Sequence, residues 1–365
     1  MTLIENEKTY SYDDVCLVPT YSDLNSRSEA DISTEYYTNP MISSPMIHTS
    51  SVNMIKYMID NDMCATVHRY FDTPDAQLMH VKSASHHPFP NDDWKRVFFA
   101  VGKDHTWINY LNANGVGRYC VDMAHGDSKI CVDTVEYIRK INPEAIIMAG
   151  NVATHAGYVR LREAGADYIR VGIAGGSICS TAKNTAFGLP MITSIMECAE
   201  ARKELGGILI ADGGIRSASD MLKAIAAGAD MVMCGKILAS TSEAEGPFYG
   251  EDEQLYRIGF EEFKPTDTDN IQTKFVEYAG MASHEMRMRN GSHIADENTS
   301  IEGVAGKIKY TGTTDKVVKA INANLRAGLS YCGSRNWEEF KNNAVMRLMS
   351  TASMLEKETH LDIKV

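Results

Sequence analysis

Eight short apolar runs, each closing on a small, polar or glycine residue, punctuate the chain. They are PMISSPM (40–46), CATVHR (64–69), VFFAVG (97–102), RYCVDMA (118–124), AIIMAGN (145–151), DYIRVG (167–172), GILIADGG (207–214) and DMVMCG (230–235). Between most of them lie stretches with apolar positions three and four apart, as at Val132, Val135, Ile138 and Ile141, or at Ala218, Met221, Leu222 and Ile225. Short runs rich in β-branched residues suit parallel strands buried on both faces, and the three-and-four spacing marks helices. Strand and helix alternating eight times is what a (β/α)8 barrel requires, so an α/β TIM barrel is the predicted fold, with a doubly wound open sheet as the competing architecture.

In such a barrel the chemistry gathers at the C-terminal ends of the strands. The residues closing the runs include Met46, His68, Asp122, Asn151, Gly172, Asp212 and Gly235. An isolated Asp or Asn in such a place is equally well a helix N-cap or a turn residue; a set of polar anchors and glycines facing one mouth is harder to assign that way. Glycine turns GIAGGS, DGGIRS and CGK follow the sixth, seventh and eighth runs, and the loops after strands seven and eight of a barrel frequently hold phosphate. Cys179 lies in DYIRVGIAGGSICSTAKNT (167–185), where a strand runs out through glycines into a hydroxyl-rich turn. Backbone N–H groups can approach a phosphate there, and the cysteine just beyond is placed to act as a nucleophile. The chain has 8 cysteines, and Cys16, Cys64, Cys120, Cys131, Cys198, Cys234 and Cys332 read as structural, because free cysteine is among the most buried residue types. No spacing is CxxC and no Cys/His cluster resembles a zinc site, so structural metal is not expected.

With 365 residues and 44% hydrophobic content the chain can bury a large core, and a single domain over 1–365 is expected. No apolar run is long enough to span a bilayer and MTLIENEKTY has no signal pattern, so a cytoplasmic location and no membrane partner are expected. The formal net charge of −12 argues against a nucleic-acid polymer, whose binding relies on a broad cationic face. A mononucleotide held by a few local donors is compatible with that charge.

Taken together, SYDDVCLVP near the start, SSPM at 43–46, IMAGNVAT at 147–154, the GxxxGSxCxT loop at 172–181, FGLP at 187–190, ADGGI at 211–215, MVMCGKILA at 231–239, YAGMAS at 278–283 and GLSYCG at 328–333 resemble the IMP dehydrogenase and GMP reductase family. The resemblance covers nearly the whole chain. It implies that Cys179 is the thiolate that adds to C2 of a purine, with Ser177, Gly214, Gly235, Lys236 and Tyr278 around the 5′-phosphate. Ser44, Met46, Gly280 and Met281 complete the implied substrate set, and Asp212 takes the ribose hydroxyls, as a carboxylate can accept from a vicinal diol. Asp122, Ala124, Asn151 and Gly172 would line the nicotinamide side.

Between the family's activities, the resemblance points first to a GMP reductase: reductive deamination of GMP to IMP and ammonia with NADPH or NADH. About 27 residues separate CATVHR from VFFAVG, too few for the pair of regulatory domains that the dehydrogenases usually insert there. CATVHRY resembles the reductase's AVHKHY, and the flap at about 284–302 lacks the Arg-Tyr pair that activates water in the dehydrogenase. Departure of ammonia requires a proton relay, which the resemblance assigns to Thr181 and Glu285, with His284 as the competing residue. The alternatives are an IMP dehydrogenase making XMP with NAD, and a reductase of a deoxy or modified purine nucleotide. A non-catalytic nucleotide-binding barrel is the remaining reading, and it leaves Cys179 without a role. Lys236 stands where a glycine is usual, and Ala174 replaces a glycine whose carbonyl helps hold a monovalent cation; Ala174, Gly176 and Cys179 are the implied potassium ligands through their carbonyls. A homotetramer is the implied assembly. The acidic stretch within 244–277 is about twice the usual connection and is expected to be a surface excursion or lid.

Overall fold

A computed structural model describes residues 8–84, 93–176, 181–250, 255–258, 273–280, 304–350 and 352–353. After β1 (Val15–Val18), all eight predicted runs contain strands: β2 (Met41–Ser43), β3 (Thr66–Val67), β4 (Phe98–Val101), β5 (Arg118–Asp122), β6 (Ile146–Val152), β7 (Tyr168–Val171), β8 (Ile208–Asp212) and β9 (Met231–Cys234). They pair in parallel in the order β2-β9-β8-β7-β6-β5-β4-β3. The two outer strands then meet, with Ile42 bridging Cys64. Hydroxyls finish that seam: Thr66 N–H donates to Ser43 Oγ at 2.9 Å, and Thr66 Oγ1 donates to the Ser43 carbonyl at 2.5 Å. The architecture is the predicted (β/α)8 barrel, closed rather than doubly wound.

Around it lie α1 (Val52–Asp60), α2 (Pro74–Ser83), α3 (His105–Ala113), α4 (Lys129–Ile141), α5 (His155–Glu163), α6 (Thr181–Thr185), α7 (Met191–Leu205), α8 (Ala218–Ala226), α9 (Lys236–Ala239), α10 (Thr314–Ser330) and α11 (Trp337–Asn343). Strand residues alternate between two cores. Phe98, Cys120, Met148 and Ile210 fill the barrel interior, whereas Phe99, Val121, Ile147 and Leu209 face the helices. Ser128 caps α4, Thr154 caps α5 and Ser217 caps α8, each side chain accepting a first-turn N–H. Asp122, Asn151 and Asp212, whose ordinary role would have been capping those same helices, are therefore left for something else.

The stretch within 244–277, expected to be a surface excursion or lid, carries regular structure in its described part. It supplies β10 (Pro247–Tyr249), β11 (Leu255–Ile258) and most of β12 (Phe275–Ala279), which with β13 (Ala305–Lys309) make an antiparallel sheet in the order β11-β10-β12-β13. Phe248 and Val276 pair across that sheet and are both buried, so apolar cross-strand contact outweighs the acidic composition of the stretch. Finally β14 (Val345–Leu348) returns to pair antiparallel with β1, Val15 opposite Leu348. Among the described residues, no helix is long and apolar enough to cross a membrane.

Candidate active site

The ends of β5, β6, β7 and β8 carry a hydrogen-bonded cluster of charge. Arg170, on β7, projects into the barrel and is only 6% exposed. Its Nη1 donates to Asp122 Oδ1 at 2.7 Å, while Nη2 and Nε donate to Asp212 Oδ2 at 2.8 and 3.1 Å. Asn151 Nδ2 adds a further donor to Asp212 Oδ2 at 2.8 Å and also reaches the Gly172 carbonyl at 2.9 Å. A register shift between Gly150 and Val152 puts a bulge at Asn151, the kind of rim irregularity that re-aims a side chain. Burial by itself would lower the Arg170 pKa, but Asp212, then Cys120 and Asp122, outweigh it and hold the guanidinium firmly charged. On the other side of Asp122, Arg69 Nε stands 3.6 Å from Oδ2.

The neighbouring sector, formed by β2, β9 and the turn after β8, is built by leaving side chains out. A Cβ on Gly235 would lie 2.4 Å from Tyr278 Oη and 3.4 Å from Ser44 Oγ, and one on Gly214 would meet the Gly175 carbonyl at 3.1 Å and the Tyr12 ring at 3.2 Å. Gly214, with φ +71, also takes a left-handed backbone conformation that favours glycine. Tyr278 Oη donates to Met46 Sδ at 3.6 Å, so Ser44, Met46, Gly235 and Tyr278 form one group. Lys236 is exposed at the start of α9. Burial, then Asp212 and Cys234, raises the Tyr278 pKa, so the hydroxyl stays protonated as a donor. Such a cradle of glycines, hydroxyls and an exposed cation fits a phosphate.

The structure thus unites Ser44, Met46, Gly235 and Tyr278 on one side and Asp122, Asn151, Gly172 and Asp212 on the other. Gly214 adjoins Gly175 beneath the turn after β8, Ala124 is exposed just beyond β5, Gly280 follows β12 and Thr181 opens α6. Ala174 and Gly176 lie on the loop after β7, Ala174 with φ +64. Ser177, Cys179, Met281, His284 and Glu285 lie outside the described residues. His68 is drawn out of the mouth's chemistry: it stacks on Phe71 at 4.3 Å between ring centroids and accepts from the Tyr70 N–H through Nδ1 at 3.1 Å. Burial, followed by His80 and His48, depresses its pKa to about 3, so it is neutral.

The cysteines other than Cys179 are all free, and every one but Cys16 is buried. Burial pushes Cys64, Cys120 and Cys131 up to about 12 and raises Cys198 and Cys234 as well, which makes them poor thiolates. Among the described residues, no group of three or more His, Cys, Asp or Glu could hold a metal ion. Sequence reasoning missed two members of the site. Arg170 reads as an interruption of an apolar run, and only its register opposite Gly150 marks it. Tyr12 lies far away in the chain, and SYDDV carries no local sign that its ring would press on Gly214.

The profile of the IMP dehydrogenase / GMP reductase domain matches residues 9–360. The chain belongs to that family. Inosine-5′-monophosphate dehydrogenase of Aquifex aeolicus (strain VF5) is 37% identical over 273 residues, which make up 74% of this chain and 53% of that protein. The enzyme of the same name from Bacillus subtilis (strain 168) is 35% identical over 270 residues, 73% of this chain and 51% of that one. Its counterpart from Staphylococcus saprophyticus is 34% identical over 262 residues, 69% and 49% of the two chains. The chain spans about half the length of these curated relatives. For a member of the IMP dehydrogenase / GMP reductase family, the barrel mouth described above is the place to look for the chemistry.

Proposed function

We propose that the chain is a nicotinamide-dependent oxidoreductase of purine mononucleotides working through a covalent adduct on Cys179, with oxidation of IMP to XMP as the leading reading. The observation that carries it is the meeting of a glycine-and-hydroxyl cradle with a carboxylate, Asp212, at adjoining strand ends. The relatives' printed name, inosine-5′-monophosphate dehydrogenase, favours the oxidative direction. Six of the other seven cysteines are buried and only Cys16 is half-buried, which supports assigning the chemistry to Cys179.

In this reading the 5′-phosphate rests on Gly214, Gly235, Lys236, Tyr278 and Ser177, with Ser44, Met46, Gly280 and Met281 against the base and ribose. Asp212, whose Oδ2 is occupied by Arg170 and Asn151, presents Oδ1 to the ribose diol. The Cys179 thiolate forms a bond to C2, C2 gives up a hydride, and water then displaces the sulfur to release XMP and restore the thiol. Asp122, Ala124, Asn151 and Gly172 suit a flat amide-bearing ring, with small residues beside carboxylate and carbonyl acceptors. A bound oxidised nicotinamide supplies the hydride acceptor there. The single catalytic unit assembles as a cytoplasmic homotetramer, and potassium on the carbonyls of Ala174, Gly176 and Cys179 supports the loop; exchange of potassium for sodium should lower turnover.

One observation favours the reductive reading. The connection from β3 to β4 is an ordinary barrel crossover carrying α2, without room for an inserted domain pair. In that direction a bound reduced nicotinamide would supply the hydride for C2, Thr181 and Glu285 would pass the proton that lets ammonia leave the Cys179–GMP adduct, and the thiolate would leave as IMP is released. The test is to supply the purified protein with IMP and NAD, and separately with GMP, or deoxy-GMP, and each reduced cofactor. XMP formation supports the leading reading; IMP from GMP transfers the assignment to the reductase, and IMP-type product from deoxy-GMP alone to a deoxynucleotide reductase. No turnover in either direction removes both. Cys179→Ser should still bind the nucleotide in calorimetry while losing turnover by several orders of magnitude.

A further inference from the structure

The side chain that reaches both halves of the nicotinamide and ribose cluster is one with no assigned role, Arg170. It leaves β7, yet its Nη1 bonds to Asp122 on β5, two strands away, with β6 in between. That crossing depends on Gly150. Gly150 pairs directly with Arg170, and a Cβ there would lie 2.5 Å from Arg170 Cβ and 2.7 Å from the Arg170 carbonyl. A glycine inside a central strand weakens it, so its presence marks a close approach, and here the approach is the arginine's. The planar guanidinium can hold two carboxylates in fixed directions, which a lysine's single ammonium cannot.

The bonds are also distributed unevenly. Asp212 Oδ2 receives Arg170 Nε, Arg170 Nη2 and Asn151 Nδ2. Asp122 gives Oδ1 to Arg170 and turns Oδ2 toward Arg69. Asp212 is thus pinned through one oxygen and leaves the other to face a ligand, whereas Asp122 is held through Oδ1 with Oδ2 beside Arg69.

We propose that Arg170 is the positioning residue of this site, fixing the directions of Asp212 and Asp122 together so that the ribose and nicotinamide subsites are set by one guanidinium. The inference rests on the proposed nucleotide oxidoreductase reading. It predicts a joint failure. Asp212→Asn should weaken nucleotide binding and Asp122→Asn cofactor binding, each mostly alone. Arg170→Lys and Arg170→Gln should weaken both, with kcat/KM for each substrate down about a hundredfold, because a single oriented donor set serves both carboxylates.

A merely structural arginine would lower the amount of folded enzyme without moving a pH profile. A positioning arginine moves it, since Asp122 on β5 and Asp212 on β8 share this one guanidinium, and a carboxylate that loses an opposite charge binds a proton more readily. Among the described residues, the groups facing this pair are Arg69, Cys120 and Cys131 around Asp122, and Tyr12, Tyr278, Cys120, Cys234 and Asn151 around Asp212. None of them replaces the missing cation at both carboxylates. The acid limb of the kcat/KM profile should therefore shift upward by about one pH unit or more in Arg170→Gln.

The experiment measures IMP and NAD affinities by calorimetry, and the pH profile of turnover, for wild type, Arg170→Lys, Arg170→Gln and Arg170→Ala with and without added guanidinium at millimolar concentration. Expected are joint weakening, the upward shift and partial restoration of turnover in Arg170→Ala by guanidinium. Unchanged affinities and an unmoved acid limb in a folded Arg170→Gln overturn the positioning role and leave the oxidoreductase reading intact. A wild type that binds neither IMP nor GMP overturns that reading, and the positioning role with it. Should Arg170→Gln fail to fold, guanidinium rescue of Arg170→Ala and the Arg170→Lys affinities decide the matter: loss confined to one ligand overturns the proposal.

Discussion

From β5 to β8 the barrel mouth is held by attraction; from β8 round through β9 to β2 it is held by omission. In the first sector Asp122, Arg170, Asn151 and Asp212 interlock through charge-assisted bonds at 2.7 to 3.1 Å. In the second, Gly214 and Gly235 keep the backbone bare where Tyr12, Tyr278 and Ser44 close in. The two designs differ in what they are sensitive to. An interlocked charge cluster in a dry interior fails when a charge is removed, whereas a cradle of missing side chains fails when a volume is added.

Asp212 sits on the boundary and should show the largest effect. Asp212→Ala strips Arg170 of the carboxylate that takes two of its bonds while leaving the guanidinium buried, and a buried pair broken on one side costs about 3–5 kcal/mol. Thermal and urea unfolding should register that loss, and calorimetry should show the nucleotide dissociation constant rising by a factor of roughly ten or more. Unchanged stability would mean that the charged sector is not interlocked.

Next comes Gly235→Ala, whose methyl lands 2.4 Å from Tyr278 Oη. Overpacking of this kind costs about 1–3 kcal/mol. Combining it with Tyr278→Phe should recover most of the stability, because the hydroxyl in the way is gone. The double-mutant cycle reads the coupling directly, and strict additivity would show that the cradle is not limited by volume.

His68 sharpens the comparison through pH. Its folded pKa, about 3, lies below the ordinary value of 6.5. Between those values the unfolded chain binds the proton more readily, so stability is full above pH 6.5 and is lost as pH falls toward 3. His80, depressed by burial against its bond to the Ser50 carbonyl, acts in the same direction. The slope from His68 alone approaches 1.4 kcal/mol per pH unit, or about 2 kcal/mol between pH 6.5 and 5. His68→Gln should flatten the dependence of the thermal midpoint over that range; an unaltered slope would point to other groups.

Tyr12→Phe should have the smallest effect and the opposite sign. Among the described residues the buried Tyr12 hydroxyl has no hydrogen-bond partner, so its removal should raise the stability of the ligand-free protein by about 1 kcal/mol. A fall in the thermal midpoint would reveal a partner supplied in solution.

The two sectors were also unequally legible. The glycine sector announces itself in sequence, since DGGI and CGK place consecutive or isolated glycines directly after apolar runs, and such runs closing on turn residues gave all eight barrel strands. The charged sector is only half visible. Asp122, Asn151 and Asp212 stand at run ends, but the arginine that joins them looks like a polar break in β7 until register sets it opposite Gly150. The second sheet was hidden for a different reason: β10 and β12 are short and lie in acidic surroundings, and β12 pairs with β10 on one side and β13 on the other across long separations, so no local period betrays them. The caps show the reverse case. A strand-end Asp or Asn is ambiguous by itself, and it took Ser128, Thr154 and Ser217 occupying the cap positions to free Asp122, Asn151 and Asp212 for chemistry.

The ribbon of β1 and β14 has a consequence for the birth of the molecule. Val15 finds its partner only in Leu348, and at ordinary synthesis rates roughly half a minute passes between the translation of one and of the other. Throughout that interval the barrel can wind strand by strand as it leaves the ribosome, while β1, with Cys16 and Leu17, waits with its backbone groups unpaired. The arrival of β14, rather than barrel closure, is then the moment at which this ribbon is completed, and a nascent-chain chaperone would find a long-lived handle at β1.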